Sequence, residues 1–308
     1  MINIKRILCP TDLSQYSGNA VRYALALARA HDAELILLHC TDATDSQVEL
    51  GLLESAVLEH IDPSDSNGSR WRLVVAPADD IGEQIMTHAQ RERVELIVMR
   101  SRRRPHRAAL LGSTAESVCR SAPCPVLVMH NDEREFVTSE LKVDLERLLV
   151  AYDFSDYSEL ALKYALSIAQ EHQAELHLLH VLPPRSLNEP EIAWYPIKGE
   201  SAYHAAANRL HRVVPAEVNL WCDVTTAVSE GQAYREILNY AEKNEIDLIS
   251  VGAHGAGFGM RALFGSNVDR VLRQAPCPVL VARPLKPRVV LTTLPEFQDV
   301  KINLARAV

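Results

Sequence analysis

The chain has 308 residues, 47% of them hydrophobic and 23% charged, which supplies apolar material for a core in each of two ordinary domains. A formal net charge of −8 gives no general attraction to nucleic acids or anionic membranes, so a nucleic-acid-binding function is not favoured. No apolar run reaches the roughly 20 residues that span a bilayer, and Met1–Pro10 lacks a signal-peptide core; we therefore expect a cytoplasmic protein without a transmembrane segment.

The first half of the chain alternates apolar and amphipathic segments. The predicted strands are nearly continuous runs of Val, Ile and Leu, which is typical of strands buried on both faces of a parallel sheet. In chain order they are Ile4–Cys9, Ala33–Cys40, Trp71–Ala76, Val94–Met99 and Pro125–Met129. The predicted helices between them are Ser17–Arg29, Ile81–Arg91 and Ser113–Arg120. This alternation predicts a doubly wound α/β sheet, in which ligands bind at the carboxyl ends of the strands.

The second half repeats the first. The run Ala33–His39 returns with one substitution as Ala174–His180, 141 residues later, and Ala122–Val128 returns unchanged 153 residues later, at Ala275–Val281. The offset grows by about a dozen residues because the second copy carries a proline-rich insertion around Pro183–Gly199. A repeat of this length is a duplicated domain rather than a solenoid unit.

The repeat also sets the expected domain boundaries. We place a first domain at residues 1–131, a charged linker at 132–142, a second domain at 143–287 and a C-terminal tail at 288–308.

A glycine-rich loop follows the fourth predicted strand of the second copy. It reads Gly252-Ala-His-Gly255, then nine residues, then Gly265-Ser266, which opens the predicted helix Asn267–Arg273. Glycine lets the backbone approach a ligand closely, and helix N-terminal amides favour an anion. The pattern predicts a phosphate site, with a flexible loop that binds nothing as the alternative. The P-loop pattern GxxxxGK[ST] is absent from this segment.

This spacing resembles the nucleotide-binding signature of the universal stress protein family. The surrounding residues match as well: Asp153 follows the first strand, Leu179–Val181 ends the second, Asp247 precedes the glycines and Cys277–Val281 forms the last strand. The resemblance covers nearly the whole chain, twice. It implies two tandem α/β domains, each a five-stranded parallel sheet in the order 3-2-1-4-5 with helices on both faces. It also implies that the last strands, Val126–Met129 and Val279–Ala282, pair within one chain as a pseudo-dimer, and two chains can associate further as a homodimer.

The resemblance also implies roles for single residues. Asp153 would lie near the ribose, or near Mg²⁺ bound to the nucleotide, and Val181 would contact the adenine through its backbone. The phosphates would be held by Gly252, Gly255, Gly265, Ser266 and Asn267. The implied ligand is ATP or a related adenine nucleotide. Asp153 also precedes a predicted helix, where a carboxylate caps free amides, and the two roles can coexist.

The first copy departs from the signature. An offset of 153 places Met99 at the position of Gly252 and Arg102 at that of Gly255, and retains only Gly112-Ser113. Bulky side chains at these positions predict that the first domain has lost ordinary ATP binding.

Five arginines lie within eight residues of this degenerate loop. They are Arg100, Arg102, Arg103, Arg104 and Arg107. One interpretation is a solvated loop. The other is an anion site, in which guanidinium groups replace backbone amides and bind acidic partners, phosphates or lipid head groups.

Histidines and cysteines give no strong metal signal. No HExxH or CxxC pattern occurs, so a zinc site is not favoured, and the six cysteines are interpreted as reduced structural thiols. His254 lies within the glycine loop and can donate a hydrogen bond to a phosphate.

Three functions remain open, and no catalytic residue is predicted. The first is a stress-response regulatory protein that binds an adenine nucleotide in its second domain and changes how it interacts with an unknown protein partner. The second is a slow ATPase or self-phosphorylating protein, with Asp153 holding Mg²⁺. The third is a scaffold that binds partners or lipids without nucleotide.

Overall fold

The computed structural model describes residues 4–14, 17–41, 70–101, 112–130, 133–184, 200–254, 265–285 and 298–300. Its contacts divide the chain into two compact units. The first contains Met1–Asn131, Val137–Asp144 and Arg283–Val308, and the second contains Asp132–Phe136 and Leu145–Ala282. The predicted linker at 132–142 is thus shared between the units, and the residues after Ala282 are assigned to the first.

The first unit is a parallel sheet with one antiparallel edge strand. Its elements are β1 (Arg6–Pro10), α1 (Gly18–Ala30), β2 (Glu34–Thr41), β3 (Trp71–Pro77), α2 (Ile81–Arg91), β4 (Leu96–Arg100), α3 (Ser113–Ser121), β5 (Val126–Met129) and β11 (Gln298–Val300). The strand order is β11-β3-β2-β1-β4-β5. Strand β11 comes from the C-terminal tail and pairs antiparallel with β3, a contact that no sequence pattern indicated.

The second unit repeats this plan without the extra strand. Its elements are β6 (Arg147–Ala151), α4 (Asp156–His172), β7 (Glu175–Leu182), α5 (Glu200–His211), a 3₁₀ turn (Ala216–Leu220), β8 (Val224–Glu230), α6 (Ala233–Lys243), β9 (Leu248–Gly252), α7 (Ser266–Gln274) and β10 (Val279–Ala282). The order β8-β7-β6-β9-β10 is 3-2-1-4-5 counted within the unit, which confirms the predicted fold.

Helix α1 is buried on more than one face. The spacing of Ala20, Tyr23, Ala24, Leu27 and Ala28 by one, three or four positions predicts one apolar stripe, and all five residues are buried. The residues Val21, Leu25 and Ala26, outside that stripe, are buried as well.

In each unit a carboxylate just before the fourth strand bonds the backbone of the central strand. In the first unit Glu95 Oε2 accepts from Arg6 N at 2.8 Å, and in the second Asp247 Oδ2 accepts from Arg147 N at 2.8 Å. Because the same bond occurs in both units, Glu95 and Asp247 are equivalent residues.

Strand register corrects the alignment of the two loops by one residue. Strand β4 pairs Met99 with Val128 and Arg100 with Met129, whereas β9 pairs Val251 with Val281 and Gly252 with Ala282. Since β5 and β10 are related by 153 residues, Arg100 is the counterpart of Gly252, and the assignment of Met99 to that position was wrong.

The cause of the shift is a difference in loop length. Three residues, Ala78–Asp80, join β3 to α2, but only Gly231 and Gln232 join β8 to α6. From α2 to the end of β4 the two repeats are therefore related by 152 residues. The original offset of 153 returns at Gly112 and Gly265, which precede α3 and α7.

All six cysteines lie within the described residues and are free thiols. Burial raises the pKa of the Cys9 thiol to about 12 and that of Cys40 to about 11, so both are protonated at neutral pH. This agrees with the interpretation of reduced structural cysteines. Within the described segments, no helix has the length and hydropathy needed to cross a lipid bilayer.

Candidate functional site

The site is built first around Asp153, the second residue after β6. Its Oδ1 accepts hydrogen bonds from Ser155 N at 3.1 Å and Ser155 Oγ at 2.5 Å. Ser155 in turn caps α4, because its Oγ accepts from Ser158 N at 3.2 Å. Asp153 is thus held by the network that begins the helix, and its carboxylate lies at the carboxyl end of the central strand.

An aromatic cluster holds the backbone on both sides of Asp153. Phe154 has a φ of 63°, which is costly for a bulky residue, and its ring lies 5.2 Å from that of Tyr152 and 4.7 Å from that of His180. Arg209 covers the same ring, with its guanidinium carbon 3.8 Å from the centroid. These contacts hold the strained turn in place beside the site.

His180 connects two neighbouring strand ends. It lies on β7, and its Nδ1 donates to Tyr152 O at 2.7 Å, just after β6. Burial lowers the pKa of His180, and the nearby Asp153 partly opposes that shift. The neutral imidazole therefore fixes the ends of β6 and β7 at neutral pH, and Val181 is the next residue on β7.

Gly252 is the last residue of β9, and the structure leaves no room there for a side chain. A Cβ built on it would lie 2.6 Å from the carbonyl carbon and 2.8 Å from the carbonyl oxygen of Tyr157, in the first turn of α4. Its φ is not in the positive range, so conformational freedom is not the requirement. The close approach of strand and helix is what requires glycine here.

The N-terminus of α7 supplies the remaining predicted residues. Gly265 is the residue before the helix, and the first intrahelical bond runs from Asp269 N to Gly265 O at 3.0 Å. The amides of Ser266 and Asn267 therefore have no partner within the helix, and both side chains are exposed. Such an end favours an anion through its free N–H groups and its dipole.

Six of the seven predicted nucleotide-binding residues are described. Three lie at the carboxyl ends of strands, and three lie at the start of α7. Asp153, Val181 and Gly252 belong to the carboxyl ends of three adjacent parallel strands, β6, β7 and β9. Gly255 lies outside the described residues, as do Arg102, Arg103, Arg104 and Arg107 of the predicted anion site. Only Arg100 of that set is described.

The first unit shows that these positions can surround one cavity. A cavity of about 580 Å³ opens at the carboxyl edge of its sheet. It is lined by the counterparts of all six described site residues, namely Asp12, Cys40, Arg100, Gly112, Ser113 and Thr114. Met99 also lines the cavity. The cavity is thus present with the side chains of both Met99 and Arg100 in place.

Two contributions to the site were missed by sequence reasoning. The contact between Gly252 and Tyr157 joins residues about a hundred positions apart, and no local pattern reports it. Arg209 lies on the helix after the insertion and has no distinguishing sequence context. Leu13, the counterpart of Phe154, also has a positive φ, of 55°. The aspartate that precedes each of them was the sequence signal for this strained turn.

Comparison with known proteins agrees with this architecture. A profile of the universal stress protein family matches residues 3–130 and again 145–283. A universal stress protein of Mycolicibacterium smegmatis is 28% identical over 300 residues, spanning 90% of this chain and 97% of its own. The crystal structure of a universal stress protein from Archaeoglobus fulgidus aligns at a TM-score of 0.63 with 26% identity, covering 91% of this chain and 96% of its own.

A further solved universal stress protein, in complex with cAMP, covers 45% of this chain and 97% of its own at 22% identity and a TM-score of 0.35. That ligand is a property of that protein. The two profile matches correspond to the two compact units, and together they span most of the sequence. The chain therefore belongs to the universal stress protein family and carries two copies of the family's domain.

Proposed function

We propose that the second domain binds an adenine nucleotide, ATP or a close relative, and that the chain is a regulatory protein whose contacts with a protein partner depend on that ligand. The observation that carries this proposal is the cavity of the first unit. Its walls contain the counterpart of every described residue predicted to bind nucleotide in the second unit. The two sheets share their strand order, and in both a helix follows the first, third and fourth strands. The second domain can therefore bind a ligand at the same edge of its sheet.

The chemistry of the second domain suits a polyphosphate. The start of α7 offers backbone amides without intrahelical partners, and Gly252 lets the first turn of α4, next to Asp153, pack against the end of β9. Asp153 provides a carboxylate beside them for a ribose hydroxyl or for Mg²⁺ bound to the phosphates. Mg²⁺ would neutralise phosphate charge in such a site, and Asp153 is the described residue that would hold it.

A charge placed at the N-terminus of α7 tests this assignment. Ser266→Glu adds a carboxylate at an exposed first helical position, where a negative charge stabilises the helix and the fold is preserved. We expect ATP affinity, measured by calorimetric titration, to fall at least about tenfold, equal to about 1.4 kcal/mol.

The matched control is Gln274→Glu, which adds the same charge at the exposed far end of the same helix. It should bind ATP like the wild type. Equal affinity for wild type and Ser266→Glu, or no binding of ATP, ADP or AMP by the wild type, would contradict the proposed function.

A further inference from the structure

Two helices of the second domain carry arginines that meet on one tyrosine. Tyr234 is the second residue of α6 and Arg235 follows it, whereas Arg270 lies on α7, which packs against α6. The Nε of Arg235 donates to the Tyr234 hydroxyl at 2.9 Å. The guanidinium carbons of Arg270 and Arg235 lie 4.6 Å and 5.7 Å from the centre of the tyrosine ring, at cation–π distance. The hydrogen bond from Arg235, together with a contribution from Arg270, lowers the pKa of Tyr234, so the surroundings of its hydroxyl favour negative charge.

The positive charge of this arginine–tyrosine cluster is not neutralised by the described carboxylates. Arg235 and Arg270 are both exposed, and neither forms an ion pair with an acidic residue in the part of the chain that the structure describes. The acidic residues next to them in the sequence have other partners. Glu236 accepts a hydrogen bond from a serine of β8 at 2.5 Å, and Asp269 pairs with Arg273 at 2.6 Å. An anion is therefore the partner that this cluster lacks.

The first domain has a different surface at the same place. By the two offsets that relate the repeats, the three residues of the cluster correspond to Gly82, Glu83 and Ser117. A Cβ built on Gly82 would lie 2.9 Å from Ser117 Oγ, so these positions also face each other across the two helices of the first domain. None of the three lines the cavity of the first domain, whereas the first residues of α3 do. The cluster thus belongs to positions outside the edge proposed for the nucleotide.

The chemistry of the cluster suits one doubly charged anion. The bond to the tyrosine uses the Nε of Arg235 and leaves its terminal N–H groups as donors, and the tyrosine hydroxyl keeps its own proton to donate. Because both arginines contact the same ring, their charges are concentrated at one point. A phosphate monoester matches that arrangement better than carboxylates spaced along a chain. The ring also orders both long side chains, which reduces the conformational entropy lost on binding.

Exposed carboxamide side chains flank the cluster on both helices. On α6, Asn239 lies one turn after Arg235. On α7, Asn267 and Gln274 lie one turn before and one turn after Arg270. Residues three or four positions apart share a helix face, so these carboxamides lie beside the arginines. A carboxamide both donates and accepts hydrogen bonds, as a peptide unit does, and can therefore bind the backbone on either side of a phosphorylated residue.

We propose that Tyr234, Arg235 and Arg270 form a docking site for a phosphorylated side chain of a protein partner. The phosphate binds the two guanidinium groups and accepts a hydrogen bond from the tyrosine hydroxyl, while the flanking carboxamides bind the peptide backbone. This inference goes beyond the proposed function and does not rest on it, because the site needs no nucleotide in either domain.

Fluorescence anisotropy of the full chain with a short labelled peptide that contains one phosphoserine, in the absence of nucleotide, tests the proposal. The phosphorylated peptide should bind at least about tenfold more tightly than its unphosphorylated form, and added salt should weaken it. Arg270→Gln should weaken binding at least about fivefold. Arg235→Glu, which introduces the charge that the first domain carries at this position, should weaken it further.

Arg212→Gln is the matched control, because it removes the same charge from an exposed arginine of the second domain that contacts no described tyrosine ring. It should bind the peptide like the wild type. An equal loss in Arg212→Gln and Arg270→Gln would overturn the proposal. Equal affinity of the wild type for the two peptides would overturn it as well, and that comparison stays decisive even where a substituted chain fails to fold.

Saturating ATP separates this site from the nucleotide edge. The phosphorylated peptide should stay bound, and its displacement by ATP would show that the cluster binds nucleotide phosphates instead, which contradicts the proposal. A wild type that binds the phosphorylated peptide but no ATP, ADP or AMP would support the docking site and contradict the proposed function.

Discussion

The ends of β4 and β9 are the most informative comparison in this molecule. Both strands end at the carboxyl edge of a sheet with the same order, yet one ends in Arg100 and the other in Gly252. In the second domain the first turn of α4 lies so close that a Cβ would meet the carbonyl carbon of Tyr157 at 2.6 Å. The register-matched position in the first domain carries the side chain of Arg100 instead. One position at a strand end thus differs in both bulk and charge between the two sheets.

The surrounding framework is the same in both domains. Leu13 and Phe154 both adopt a positive φ, and both domains join the ends of their first two strands through a histidine, His39 or His180. The strained turn that presents Asp12 or Asp153 therefore does not depend on the glycine. Among the described residues, the contrast in bulk and charge lies at the ends of β4 and β9.

The largest effect should come from Gly252→Ala. The added methyl group must displace backbone at Tyr157, so we expect the free energy of unfolding of the second domain to fall by about 2–3 kcal/mol. The register-matched Arg100→Ala in the first domain adds no atoms and should cost less than about 1 kcal/mol. Urea denaturation of both variants measures the difference, and equal losses would show that the close approach at Gly252 is not required.

A smaller effect is expected where the two helices begin. Ser155→Ala removes the cap of α4, because Ser155 Oγ accepts from Ser158 N, and should lower the free energy of unfolding by about 1 kcal/mol. Ser14→Ala, its counterpart, removes a hydroxyl that donates to Asp12, whereas the amide of Ser17 bonds the backbone oxygen of Ser14, which the substitution retains; it should cost about half as much. Denaturant titration would reject this account if Ser14→Ala proved the more damaging change.

The smallest effect is a pH dependence at His180. Its pKa is lower in the folded than in the unfolded protein, chiefly through burial, so the unfolded chain binds more protons as the pH falls. Its contribution to stability is present above about pH 6.5 and is lost as the pH drops below that value. His180→Asn keeps an N–H donor for Tyr152 O but does not titrate. Unfolding measured at several pH values should show a shallower decline for this variant, and an unchanged decline would exclude His180 as its source.

Sequence reasoning predicted most of the fold because the signals were local and repeated. Buried strands appeared as apolar runs, and the apolar residues of α1 from Ala20 to Ala28 are all buried. The duplication supplied each element twice. Strand β11 was not predicted, since Gln298–Val300 is short and pairs with β3, more than 220 residues earlier in the sequence. The sequence predicted which residues form the candidate site, but not the residues that contact them, such as Tyr157 and Arg209.

The sequence by itself determined the duplication and the alternation of strands and helices, because repeated segments and local periodicity report both directly. The strand order and the residues expected at the carboxyl edge of the second sheet came from the resemblance to the family. Only the tertiary structure decided which residue of the first domain replaces Gly252. A loop one residue longer before α2 shifts the alignment by one position, and neighbouring residues of a strand point to opposite faces of the sheet. Strand pairing across the sheet fixes that register, and it places the guanidinium of Arg100, rather than the thioether of Met99, at the counterpart of Gly252.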